Sequence, residues 1–113
     1  MKEIKGHIHY NDLDYPLAFT LNVMEEIQEE YGTIDKWGEL TSGEEPSAKA
    51  VIFGFWAMIN EGIDIENETA EVKRDFVTKK QVGRIITEHG LAESTLALHD
   101  TVAKSVESAE KNE

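Results

Sequence analysis

Apolar and polar side chains alternate from Ile4 to Tyr10, with Ile4, Ile8 and Tyr10 on one face and Lys5, His7 and His9 on the other. A period of two over a short segment predicts a half-buried strand. The short polar residues of 11–14 supply turn chemistry. Tyr15 to Phe19 reads as the returning strand, with Pro16 near its start, where a missing N–H costs least. The period then changes. Leu21, Met24, Ile27 and Tyr31 recur at spacings of three and four, opposite Glu25, Glu26, Glu29 and Glu30, which predicts an amphipathic helix. Thr20 or Asn22 offers its N-cap, Glu25 stands in capping-box position to Asn22, and Gly32 ends it. Thr33 predicts the cap of a shorter helix with Ile34, Trp37 and Leu40 on one side, followed by a polar break from Thr41 to Pro46.

From Ser47 to Gly62 the pattern differs. Ala48, Val51, Ile52, Phe55 and Ile59 make one stripe, but Phe53, Trp56 and Met58 fall outside it. A helix apolar on most of its circumference calls for neighbours on most of its circumference, so this is expected to be the central helix, stopping at Gly62. Residues 63–76 are charged and aperiodic, and read as a loop. Thr78 and Gln81 form a capping box, after which Val82, Ile85, Ile86 and His89 share a face as far as Gly90. A last helix is expected from about Ala92, with Thr95, Leu98, Val102 and Val106 as its stripe. The pattern as a whole predicts an α+β, mainly α fold: an N-terminal β-hairpin followed by four or five helices around an apolar one. Residues 1–107 make a single domain and 108–113 a polar, disordered tail.

Charge narrows the functions open to such a domain. Its 113 residues carry 23 carboxylates against 11 lysines and arginines, for a net charge of −12. That sign repels phosphate backbones and anionic lipid, so no direct contact with nucleic acid or membrane is expected. The imbalance is steepest between Glu25 and Glu45, where eight carboxylates face one lysine. This segment reads as a solvated helix face, or as a guide for a basic partner or a phosphate mimic. The longest apolar run, Ala50 to Ile59, is about half a membrane span. Met1 to Tyr10 lacks the apolar stretch of a secretory signal. With no cysteine, neither disulfides nor thiolate metal sites arise, which suits a reducing compartment.

The search for reactive groups is brief. His7 and His9 project to one face of their strand and would chelate a divalent ion given a third ligand, such as His89, His99 or a carboxylate; the simpler reading is a solvated face. Asp64, Glu66 and Glu68 resemble a calcium loop superficially but lack its sixth-position glycine and twelfth-position glutamate. No serine sits in a Gly-x-Ser-x-Gly elbow, and Gly54 and Gly83 lie singly inside helical patterns rather than in a phosphate loop. No catalytic, cofactor-binding or metal site is therefore expected, and the chain is read as a binding protein rather than an enzyme.

Three stretches carry a family resemblance. Tyr15 to Gly32 (YPLAFTLNVMEEIQEEYG) followed by Trp37, Ala50 to Gly62 (AVIFGFWAMINEG) and Gln81 to Glu88 (QVGRIITE) resemble the tail assembly chaperones of long-tailed, siphovirus-type phages and prophages. The similarity spans about Tyr15 to Leu98, in overall pattern and without an invariant chemical motif. It implies a protein that binds the long helical tape-measure protein in the cytoplasm of an infected or lysogenic bacterial host. There it would keep that client soluble while tail-tube subunits, a further candidate partner, assemble around it, and it would be absent from the mature virion. Many such proteins occur in a short form and a frameshifted longer one, and the polar end here would suit the short form. The resemblance carries no residue-level roles.

From the apolar excess of the central helix, Phe53, Trp56 and Met58, together with Trp37, are the expected partner-binding residues. Aromatic and methionine side chains bury large areas and adapt their shape. An open helix face of this kind would also favour homo-oligomers. Two alternatives stand beside the chaperone: an acidic nucleic-acid mimic that inhibits a DNA-binding protein, and a structural tail or connector subunit.

Overall fold

Two residues fix the first turn. Asn11 and Asp12 have φ of 51° and 62°, the left-handed region that short polar side chains tolerate and that a two-residue hairpin loop requires. The computed structural model describes the backbone of residues 4–111 and the side chains of residues 4–107. It pairs β1 (Gly6–Tyr10) antiparallel with β2 (Leu13–Leu17), Ile8 opposite Tyr15 and Gly6 opposite Leu17. The return strand thus begins at Leu13 rather than Tyr15, because the turn needs only two residues. It ends at Leu17, because the next N–H, that of Ala18, leaves the sheet to donate to the Met58 carbonyl at 3.1 Å.

Five helices follow: α1 (Leu21–Tyr31), α2 (Ile34–Leu40), α3 (Ala48–Asn67), α4 (Lys79–His89) and α5 (Leu91–Lys111). The fold is α+β and mainly α. Four helices begin at a hydroxyl that accepts from the third residue beyond it: Thr20 from Val23, Thr33 from Lys36, Ser47 from Ala50 and Thr78 from Gln81. At Thr78 the box is complete, since Gln81 Oε1 accepts the Thr78 N–H at 2.8 Å. Asn22 caps nothing; its side chain donates to Glu61 instead.

The central helix is longer than its composition predicted. α3 continues through Gly62 to Asn67, so residues 63–67 are helical rather than loop. Gly62 is there because β2 crosses α3 at this point. A Cβ at Gly62 would lie 2.8 Å from the Pro16 carbonyl oxygen and 2.9 Å from the proline ring. A glycine that looks like a helix stop is a site of close backbone approach. Around α3 the hairpin and the other four helices close one apolar core, with Leu17, Phe19, Ile27, Trp37, Phe55 and Ile63 fully or almost fully buried. Each such side chain contributes roughly 1.5–3 kcal/mol of transfer free energy.

α5 also departs from expectation. Its inward face is Ser94, Thr95, Leu98, Thr101 and Ser105, while Val102 is half-buried and Val106 exposed. Three of those hydroxyls donate to carbonyls of the helix itself, Thr95 to Ala92, Thr101 to Ala97 and Ser105 to Thr101, each at 2.9 Å. Being small and satisfied, they let the hairpin come close: a Cβ at Gly6 would meet Thr101 Oγ1 at 2.3 Å. The backbone of α5 is helical to Lys111; the side chains of 108–111, and residues 112–113 entirely, lie outside the described residues, and with them most of the expected polar tail. No helix among the described residues is long and apolar enough to cross a membrane.

Candidate partner-binding surface

Three of the four side chains expected to meet a partner lie in the core. Met58 is fully buried, Trp37 is 2% exposed and Phe53 7% exposed. The reason is the number of elements packed round α3, which cover the faces its stripe left over. Trp37 Nε1 donates to the Ala50 carbonyl at 3.0 Å, and its indole lies so close to α3 that a Cβ at Gly54 would approach it to 2.5 Å. Phe53 meets the edge of Tyr31, ring centroids 5.5 Å apart, and Trp56 at the same separation. Only Trp56 keeps substantial surface, and Lys79 Nζ sits 4.7 Å above its ring.

Trp56 opens onto a groove that composition did not reveal. Its floor is the outer face of α3, where Trp56, Asn60, Glu61, Asp64, Ile65 and Glu68 follow one another at three- and four-residue spacing. The start of α1 forms one wall, with Leu21, Asn22 and Glu26. Phe76 forms the other. Leu21 is 67% exposed and Phe76 57%, high values for large apolar side chains. Between these apolar points stand four carboxylates, with Lys79 over the Trp56 ring at one end.

Both walls are tied to α3 by side-chain hydrogen bonds. Glu61 accepts from the Thr20 hydroxyl and from Asn22 Nδ2, which fixes the first turn of α1. On the other side two asparagines grip the strap of 68–78 that joins α3 to α4. Asn60 Nδ2 donates to the Val77 carbonyl at 3.0 Å and its Oδ1 accepts the Val77 N–H at 2.8 Å. Asn67 makes the same pair with Arg74, at 3.0 and 2.9 Å. The spacings match: seven helical residues rise about 10.5 Å, and three extended residues span about 10 Å. Arg74 then donates to the Asp14 carbonyl at 2.9 Å and lies 4.8 Å from the Tyr15 ring, anchoring the strap to the hairpin. Phe76 is held facing outward as a result.

Electrostatics follow the same geometry. Burial raises the Glu26 carboxyl above its ordinary value, and the charges of Glu61, Glu29 and Glu25 add to the effect against the pull of Lys79. Burial likewise raises the Tyr31 hydroxyl, with Glu30 contributing. Asp64 and Glu68, read from sequence as loop acids, are an i,i+4 like-charge pair at the C-terminal end of α3, where both the pairing and the helix dipole disfavour them.

The remaining candidates are not brought together. His7 Nε2 and His9 Nδ1 lie 3.8 and 3.3 Å from the two oxygens of Asp14. His89 Nε2 donates to the His9 carbonyl, and His99 pairs with Thr41, so neither ring joins them. Among the described residues no three His, Asp or Glu side chains are arranged to hold a metal ion. Sequence reasoning missed Leu21, Asn60, Glu61, Asp64 and Phe76 as surface-forming residues; the one available signal was Phe76, a lone aromatic in a polar segment.

Comparison with protein-family models, curated proteins and solved structures finds no match to this chain.

Proposed function

We propose that this protein works by binding another protein, as a tail assembly chaperone that holds a phage tape-measure protein soluble in the bacterial cytoplasm until tail-tube subunits enclose it. The observation that carries the reading is the groove on α3, where Leu21 and Phe76 are exposed and Trp56 is half-buried among carboxylates. A holdase requires apolar surface for its client and charge to stay dispersed while that surface is open. The resemblance of 15–98 to tail assembly chaperones supplies the identity of the client, and the site is the α3 groove in place of the buried Phe53, Met58 and Trp37.

The test is co-expression with the tape-measure protein of the same phage, followed by capture of the tagged chain at low and moderate salt. A soluble complex that survives moderate salt supports the reading. A tape-measure protein that stays insoluble, beside a captured DNA-binding protein lost on adding salt, would overturn it. That second outcome belongs to the nucleic-acid mimic, which one observation favours: of the eight carboxylates between Glu25 and Glu45, all but Glu26 are exposed.

A further inference from the structure

We propose that the cleft between the hairpin tip and α4 binds an apolar carboxylic acid, its carboxylate on Arg84 and its hydrocarbon body against Tyr10, Leu13 and Tyr15. The site is separate from the α3 groove and stands whether or not the chaperone reading does.

The cleft follows from the register of the hairpin. Tyr10 pairs with Leu13 and Ile8 with Tyr15. Cross-strand partners share a face, and residues two apart along a strand share it too, so these side chains all project to the side that meets α4. Ile8 is buried there, whereas Tyr10 and Tyr15 are half-buried and Leu13 is 49% exposed. About 260 Å³ remains between these three and the α4 side chains Gln81 and Arg84, with buried Ile85 also in the lining. Arg74, bonded to the Asp14 carbonyl, lies 4.8 Å from the Tyr15 ring and braces that wall.

The charge of the ligand is set by what the polar groups have left to offer. Gln81 and Arg84 stand one helical turn apart on α4. Gln81 Oε1 already accepts the Thr78 N–H, which leaves its NH2 group, a donor. Arg84 is exposed and pairs with no carboxylate among the described residues, although the chain carries 23 of them. Its guanidinium presents a planar fork of donors that matches the two oxygens of a carboxylate. Asn11, at the turn, adds a further amide, and no acidic side chain lines the cleft. Asp14 turns its oxygens to His7 and His9, on the opposite face of the sheet.

A cationic ligand would be repelled by Arg84, and a wholly polar anion would leave the tyrosine rings and Leu13 unused. A carboxylate carrying an aryl or branched alkyl group uses both. The cleft is smaller than the roughly 300–1,000 Å³ of drug-sized pockets, so that group is one ring or one side chain in size. A free small acid and the last residue of a polypeptide both have this chemistry.

The test titrates the full chain with 3-phenylpropionate and with a short peptide ending in phenylalanine, each beside its neutral amide, and reads NMR shifts of backbone and arginine side-chain N–H groups. The acids are expected to bind, with shifts centred on Gln81 and Arg84 and affinity falling as salt rises. The amides are expected to bind on the order of tenfold more weakly or worse, as is acetate, which has the charge without the body. Arg84→Gln is expected to weaken the acids on the order of tenfold or more and to erase their advantage over the amides. The same charge change at Lys36, exposed on α2, should leave affinity within about twofold. Thermal unfolding of each variant confirms that the fold is kept. Equal binding of acid and amide, no binding of either acid at about 10 mM, or unchanged affinity in Arg84→Gln overturns the proposal. Binding of the peptide alone identifies the ligand as a chain terminus, and binding of phenylpropionate alone as a free small acid; both uphold the carboxylate site.

Discussion

Asn60 satisfies both backbone polar groups of Val77, seventeen residues away, donating to its carbonyl and accepting from its N–H. One side chain thereby imitates a strand partner for a single residue. Its neighbour Phe76 has no apolar packing sufficient to fix it, being more than half exposed. The groove wall depends on this pair and on the matching grip of Asn67 on Arg74.

Asn60→Ala is therefore expected to cost about 1–3 kcal/mol, since it leaves an N–H and a C=O without partners in a half-buried place. Hydrogen exchange at the Val77 amide should accelerate by more than the global loss explains. Asn60→Asp keeps the acceptor but faces the Val77 carbonyl with a charge. It should be at least as costly near neutral pH and recover as acid returns a donor. Unchanged Val77 exchange in the alanine variant would refute the role assigned to this side chain.

Gly62 and Gly38 both lie within helices yet should respond oppositely to alanine. At Gly62 a Cβ meets backbone and ring atoms of Pro16 within 3 Å, so α3 and β2 must separate. Overpacking of this kind costs about 1–3 kcal/mol, more than the roughly 1 kcal/mol that alanine gains in helix propensity. At Gly38 nothing lies within 4 Å, and the propensity gain of about 0.5–1 kcal/mol should appear as a higher unfolding midpoint.

Trp37 and Gly54 are expected to be coupled. Gly54→Ala should destabilise by about 2 kcal/mol, because the new methyl group enters the space of the indole. Trp37→Phe should cost about 2–3 kcal/mol through lost volume and the lost hydrogen bond to Ala50. Combined, the two should cost about 1 kcal/mol less than their sum, since phenylalanine withdraws the atoms that the methyl group strikes. Strict additivity in a double-mutant cycle would show that the contact is not the source of either effect.

Glu26 gives the protein a pH dependence of definite sign. Burial and neighbouring carboxylates hold its carboxyl above the ordinary value of 4.5, so the folded state binds its proton more tightly than the unfolded chain does. The stability this supplies is present in acid and is lost as the pH rises from 4.5 through the folded value. Glu26→Gln should be more stable than the parent near neutral pH, with the difference closing in acid. Thermal midpoints of the two proteins across that window check the sign; a parent that is the more stable near neutrality would reverse it.

The elements themselves were legible because their causes are local. Alternation from Ile4 to Tyr10, the hydroxyl caps at Thr20, Thr33 and Thr78, and the stops at Gly32 and Gly90 act within four residues, which a sequence displays directly. The excess apolar surface of α3 was likewise readable, and it correctly marked the helix the others surround. What that excess was for could not be read. Whether Phe53 or Met58 faces a neighbouring helix or a client depends on how many elements pack around α3, which is a property of the assembled chain. Gly62 looked like a stop because a glycine past an apolar run often is one; only the crossing of β2 made it a contact point. The groove was hidden for the same reason. Leu21, Asp64 and Phe76 lie in three different segments and become one surface because Glu61 binds Thr20 and Asn60 binds Val77. The sequence by itself determined that a hairpin is followed by helices around an apolar one, and the sign of the surface charge. The tertiary structure decided which apolar side chains remain at that surface, because burial is set by neighbours distant in the chain.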